Sequence, residues 1–266
     1  MIKSPIKYFG GKGGMFNNII KYFPEDDNID TYIEPFGGSY SIGFAQNKYP
    51  NEIYNDLEKN VYSLYKVLSD KTLYNEFKYK CDLAIYSQDL RNEYKIKLKN
   101  DDISMVDRAF YYFYLNRTSH NGVGGLSVNT ITRRNMSKSV SDFLSSIDRL
   151  EDIHQRLSKV IVLNQDGIEL IKKYDRQNVF FYLDPPYEQS TRTSARYDVD
   201  MNRKSHEMLL DTLLNLQNAK FLLSGYDCDL YNILQNNKIE KIQFQVNTVD
   251  GNKKPKVKTE TLWKNY

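Results

Sequence analysis

Apolar residues in this chain gather in short runs, and the runs recur with polar, helix-compatible stretches between them. They lie at 31–36, 52–55, 160–164, 179–183, 220–224, 239–247 and 260–264. Two of them, VFFYL at 179–183 and KFLLS at 220–224, are apolar on successive positions, as strands covered on both faces must be. Strands alternating with helices predict a mostly parallel sheet flanked by helices, an α/β fold. The last two runs are joined by Asp250, Gly251 and Asn252, a turn signal that predicts an antiparallel hairpin at the sheet edge.

About a hundred residues between the second run and the third break this alternation. In 57–80, Leu57, Val61, Leu64, Tyr65 and Leu68 fall at helical intervals, 106–115 (VDRAFYYFYL) reads as an aromatic-rich helix, and 143–157 as an amphipathic one. The polar, glycine-containing segment 116–135 lies between the last two. The pattern predicts a mostly helical domain at 58–157 inserted into a catalytic domain made of 1–57 and 158–266.

Composition narrows the class. The chain has 266 residues, 40% hydrophobic and 14% aromatic, enough for a real core and too short for two full enzymatic domains. No apolar stretch is long enough for a bilayer span, and MIKSPIKYFGG lacks the apolar run of a signal peptide, so a cytoplasmic protein with no membrane partner is expected. Cys81 and Cys228 suit reduced structural thiols, and His120, His154 and His206 lack metal-ligand spacing and suit surface or capping positions, so no metal is expected. The net charge of +3 is modest, but its distribution is informative. Arg117, Arg133, Arg134 and Lys138 fall in a stretch without acids, as do Lys253, Lys254, Lys256 and Lys258, and both stretches could hold phosphate.

Three constellations carry candidate chemistry. Asp184, Pro185, Pro186 and Tyr187 follow an apolar strand. Two prolines stiffen the turn and leave its carbonyls free to accept, so Asp184 and one carbonyl can take the two hydrogens of a planar amine while Tyr187 offers a face for stacking. Glu34, Pro35, Phe36, Gly37 and Gly38 end the first strand, where glycines permit close backbone approach, and Asp56 ends the second, where an acid can receive the two hydroxyls of a ribose. The third is the glycine loop Tyr8, Phe9, Gly10, Gly11, Lys12, which lacks P-loop spacing.

In this order the motifs resemble the D12 class of DNA adenine N6-methyltransferases. The likeness spans IKYFGGK at 6–12, YIEPFGG at 32–38, YND at 54–56, YLNRTSHNG at 114–122, VLNQD at 162–166, FYLDPPY at 181–187, LLSGYD at 222–227 and KTETLW at 258–263. The resemblance implies a Rossmann-like methyltransferase sheet, S-adenosylmethionine as cofactor, and double-stranded DNA as partner. It implies cofactor contacts at Tyr8, Gly11, Lys12, Glu34, Phe36, Gly38, Asp56, Asp166 and Asp184, with the donor's adenine near Asp166. The target adenine is expected at Asp184, Pro185, Pro186 and Tyr187, flipped out of the duplex. DNA contacts are expected from Arg117, Asn121, Arg133 and Arg134 in the insertion, from Arg192 and Arg196 in a polar loop over DNA and cofactor, and from Lys253 and Lys254 on phosphates. Tyr40 stands where many members carry a second glycine, and the segment after Asn121 is unlike that of GATC-methylating relatives. Other planar amines, such as N4 of cytosine or adenine in RNA, and a DNA-binding relative without activity stay open as alternatives, as does a cognate restriction nuclease.

Overall fold

The computed structural model describes residues 2–8, 11–46, 48–122, 124–187, 201–236, 239–249 and 255–266. Its strands, in chain order, are β1 (Thr31–Glu34), β2 (Asn51–Asn55), β3 (Thr132–Arg133), β4 (Met136–Ser137), β5 (Ile161–Leu163), β6 (Val179–Leu183), β7 (Lys220–Gly225), β8 (Glu240–Val249) and β9 (Pro255–Lys264). Each of the seven apolar runs is therefore a strand, and β3 and β4 are additions that periodicity did not show. The chain divides into two compact units.

The second unit comprises residues 15–37, 47–57 and 165–266. Six of its strands stand in the order β2-β1-β6-β7-β9-β8. β1 runs parallel to both β2 and β6, and β6 parallel to β7, while β9 lies antiparallel to β7 and β8 antiparallel to β9. This is the parallel sheet with an antiparallel edge hairpin that the alternation predicts. All five residues of β6 are buried, which its unbroken apolar run requires. Helix Arg203–Leu214 is tied at the fully buried His206, whose Nδ1 lies 3.0 Å from the Tyr231 hydroxyl, so this histidine belongs to the core and not to the surface.

The first unit comprises residues 1–14, 38–46 and 58–164, and so gathers three short segments outside the predicted insertion, 1–14, 38–46 and 158–164, together with it. Helix Met105–Thr118 is its spine, with Val106, Ala109, Phe110, Phe113 and Tyr114 buried. Phe113 meets Phe77 edge-on at 5.6 Å, and Tyr114 meets Phe143 at 5.5 Å. Burying each such ring contributes on the order of 1.5–3 kcal/mol. The helix ends on the Arg91 guanidinium, which donates to the Leu115 carbonyl at 2.6 Å and the Thr118 hydroxyl at 2.8 Å.

The stretch read as one helix from 57 onward is two, Lys59–Ser69 and Lys71–Asp82. Asp70 ends the first and caps the second, accepting from the Thr72 and Leu73 amides, and Leu57 lies outside both and is exposed. The stretch 143–157 likewise spans the end of Lys138–Asp148 and the whole of Leu150–Leu157.

Candidate active site

Three acidic residues stand at the carboxyl ends of three adjacent parallel strands of the second unit. Glu34 is the last residue of β1, Asp56 follows β2 and Asp184 follows β6. Ligands of parallel α/β sheets bind at this edge, and two strand spacings, roughly 10 Å, separate the strands that carry Asp56 and Asp184. Glu34 and Asp56 are buried and Asp184 half-buried. The Glu34 carboxylate accepts from the Tyr32 hydroxyl at 2.6 Å.

The loops at this edge are held by a residue that motif reading passed over. Asn55 is fully buried, and its side-chain amide donates to the Pro35 carbonyl at 2.8 Å and the Gln165 carbonyl at 2.9 Å. Its Oδ1 accepts from the Gln165 amide at 2.9 Å, and its own carbonyl accepts from Gly37 at 2.8 Å. One side chain thus fixes the turn after β1, the end of β2 and the segment leading to Asp166. Asp166 caps helix Gly167–Lys173, its Oδ1 accepting from Ile168 at 2.9 Å and Glu169 at 3.0 Å. Gly167 admits the Phe36 ring, since a Cβ there would lie 2.7 Å from it.

Tyr187 is buried and aimed by its hydroxyl. It donates to Glu260 Oε1 at 3.1 Å, and the same oxygen accepts from Ser224 at 2.7 Å. The Tyr226 ring lies 4.5 Å away at 47°, so one edge and one end of the tyrosine are fixed. Glu260, Ser224 and Tyr226 were not candidates. Glu260 falls within KTETLW at 258–263, a segment that the family resemblance covers, but nothing in that segment assigns the acid a partner.

The first unit holds the other predicted cofactor residues. The Gly11 amide donates to the Tyr8 carbonyl at 3.2 Å, and Lys12 is buried. Gly38 takes φ +48 with the Tyr8 ring so close that a Cβ would sit 2.8 Å from it. Tyr40 keeps the left-handed turn expected of glycine, at φ 52, and its buried ring packs edge-on against Phe44 at 5.3 Å.

The insertion's polar stretch is a hairpin as well as a loop. β3 and β4 pair antiparallel across Arg134 and Asn135, both left-handed, at φ 54 and 56. These are the two positive φ values of a type I′ turn, here without glycine. Arg133 and Arg134 are exposed at this tip, Arg133 2.8 Å from Asp142 and Arg134 3.9 Å from Asp148. Arg117 lines a cavity, and Asn121 lies in the turn His120–Gly122. Arg192, Arg196, Lys253 and Lys254 lie outside the described residues. Among the described residues no helix is long and apolar enough to cross a membrane, and no three acids, histidines or cysteines gather to hold a metal.

Comparison with known proteins places these features in a family. Residues 8–248 match the D12 class N6 adenine-specific DNA methyltransferases. The chain is 24% identical over 251 residues to the type II methyltransferase M.MjaIII of Methanocaldococcus jannaschii, covering 86% of each chain. It is 24% identical over 235 residues to M.CviBI of Paramecium bursaria Chlorella virus NC1A, covering 84% of this chain and 83% of that one. To M.FokI of Planomicrobium okeanokoites it is 26% identical over 237 residues, 84% of this chain and 36% of the longer relative.

Proposed function

The chain belongs to the D12 class of N6 adenine-specific DNA methyltransferases, and from that membership we propose how its own residues carry out methyl transfer to DNA. The observation that supports the reading most is the placement of Glu34, Asp56 and Asp184 at the ends of adjacent parallel strands. This set of acceptors fits S-adenosylmethionine, which offers a ribose diol and an ammonium group and, when bound, supplies a sulfonium methyl. Asp56 receives the diol. Within the second unit Glu34 and Phe36 would hold the methionine portion, and Asp166, whose Oδ1 is taken by helix amides, would offer Oδ2 to the donor's adenine.

The target adenine leaves the stack and lies on Tyr187. Asp184 and the Pro185 carbonyl accept the two hydrogens of N6. Because the N6 lone pair is delocalised into the ring, these bonds favour a pyramidal nitrogen and stabilise the positive charge that grows on it, so positioning and electrostatics supply the catalysis. Pro186 keeps the turn rigid. Arg133, Arg134 and Asn121 read base edges, while Arg192, Arg196, Lys253 and Lys254 hold the backbone.

Incubation with unmodified plasmid and S-adenosylmethionine, followed by mapping of modified bases, should find N6-methyladenine in one sequence context. Only N4-methylcytosine, or no modification, would overturn the reading. The same maps test the hairpin. Arg134→Gly should relax the methylated sequence while leaving stability equal or higher, because glycine accepts the left-handed turn without the roughly 1 kcal/mol strain of a side chain. An unchanged map would move recognition elsewhere. Asp56→Ala should weaken donor binding by about 1.5–3 kcal/mol in calorimetric titration, the worth of a charge-assisted hydrogen bond. Undiminished donor affinity would remove Asp56 from the site.

A further inference from the structure

We propose that Asn116 is a positioning residue for the methyl donor, because it grips the backbone from which the glycine loop at 8–12 springs. This rests on the donor contacts that family membership implies for Tyr8, Gly11 and Lys12, and every residue concerned lies in the first unit.

Asn116 is buried in the last turn of helix Met105–Thr118, where a side-chain amide needs partners for both of its ends. It finds them on one residue, 109 positions earlier. The Lys7 amide donates to Asn116 Oδ1 at 2.8 Å, and Asn116 Nδ2 donates to the Lys7 carbonyl at 2.8 Å. The carboxamide reproduces the donor and acceptor of a peptide group, as a neighbouring strand would. Among side chains of this shape only asparagine can do so, since aspartate lacks the donor and leucine lacks both.

Two other features close the same joint. The Lys7 ammonium donates to the Ser119 carbonyl at 2.8 Å and the Arg117 carbonyl at 3.3 Å, at the carbonyl end of the helix. Gly122 takes φ +87, and a Cβ there would collide with the Lys7 carbonyl oxygen, so glycine is what lets that carbonyl reach Asn116. Asn116 and Gly122 are the two ends of NRTSHNG, and both serve to hold Lys7. The next residue, Tyr8, accepts at its carbonyl from Gly11 at 3.2 Å, and its ring lies where a Cβ on Gly38 would be 2.8 Å away. Gly11 in turn sits against Ser39, whose hydroxyl would lie 3.0 Å from an added Cβ. Contacts this close have no slack, so a displacement of Lys7 passes on to Tyr8, Gly11 and Gly38. The insertion expected to read DNA thereby also sets the donor loop.

The test titrates S-adenosylmethionine into the full chain by calorimetry, without DNA, and follows thermal unfolding of the same samples. Asn116→Ala should raise the donor Kd about tenfold, as expected when hydrogen bonds that preorganise a binding loop are lost. Gly122→Ala disturbs the joint from its other side, should do the same, and keeps the test valid if Asn116→Ala fails to fold. Together the two should weaken the donor no more than either alone, because they break one joint. Phe77→Leu, a core change against Phe113 in the same unit, should lower the melting temperature and leave the donor Kd where it was. An unchanged Kd in folded Asn116→Ala and Gly122→Ala would overturn the proposal. An equal rise in Phe77→Leu would overturn it too, since loosening of the whole unit would then explain the effect. Intact donor binding with weakened binding of a duplex containing the methylation site would make the joint a prop for recognition alone and overturn it as well. The expected shifts in Kd, with no methyl passed to DNA by the wild type, would instead sink the functional reading and leave Asn116 in its role.

Discussion

Replacing Asp184 by alanine is expected to lower turnover by about three orders of magnitude and leave the protein folded. The carboxylate is asked to bind N6 more tightly as positive charge develops there, so its loss falls on the transition state and kcat drops while the DNA concentration for half-saturation barely moves. Folding should survive because Asp184 is only half-buried and the preceding strand, Val179–Leu183, supplies the burial. Pro185 also keeps residue 184 extended whichever side chain it bears. The thermal midpoint should shift by no more than about 2 °C, less than 1 kcal/mol in a protein of this size. Asp184→Asn retains an acceptor without the charge and should fall between the two. Single-turnover rates are the measurement, and a loss confined to DNA affinity would show that Asp184 only positions the duplex.

How much of this was legible depended on whether a residue's role is local. The strands were, because a run such as VFFYL can be buried on both faces and needs no partner to be recognised. The acids at strand ends were also legible, since an unusual turn such as Asp184-Pro185-Pro186-Tyr187 states its chemistry within four positions. The choice of adenine in DNA over cytosine or RNA came with the family, because any planar amine fits such a turn. The joint at Asp70 was hidden because apolar spacing continues across it, although its capping chemistry is visible in retrospect. The β3–β4 hairpin was hidden for the opposite reason: Arg134 and Asn135 adopt the left-handed turn without the glycine that announces it. The pairing of Glu260 was out of reach even though KTETLW marks its segment, because its partners Tyr187 and Ser224 lie 73 and 36 residues away.

Asn55 belongs to that last class, and it carries the second large expectation. Asn55→Ala removes one hydrogen bond to the buried Pro35 carbonyl and two to the part-buried carbonyl and amide of Gln165. At about 1 kcal/mol each the loss approaches 3 kcal/mol, with a further penalty where a group stays dry. Because these bonds tie the turn bearing Glu34 and Phe36 to the segment bearing Asp166, donor affinity should fall alongside stability even though Asn55 touches neither motif's reactive atoms. Packing alone would predict the same for alanine, so the discriminating variant is Asn55→Asp, which keeps shape and volume. Its Oδ1 still accepts from Gln165, but its other oxygen faces the Pro35 and Gln165 carbonyls, 2.8 and 2.9 Å from the nitrogen it replaces. Acceptors set against acceptors repel, and a buried charge raises the penalty, so the aspartate should be at least as destabilising as the alanine. Urea midpoints and donor titrations of the two variants decide the matter: an aspartate variant as stable as the wild type would mean that the strand-end loops are held by packing and that Asn55 is not their clamp.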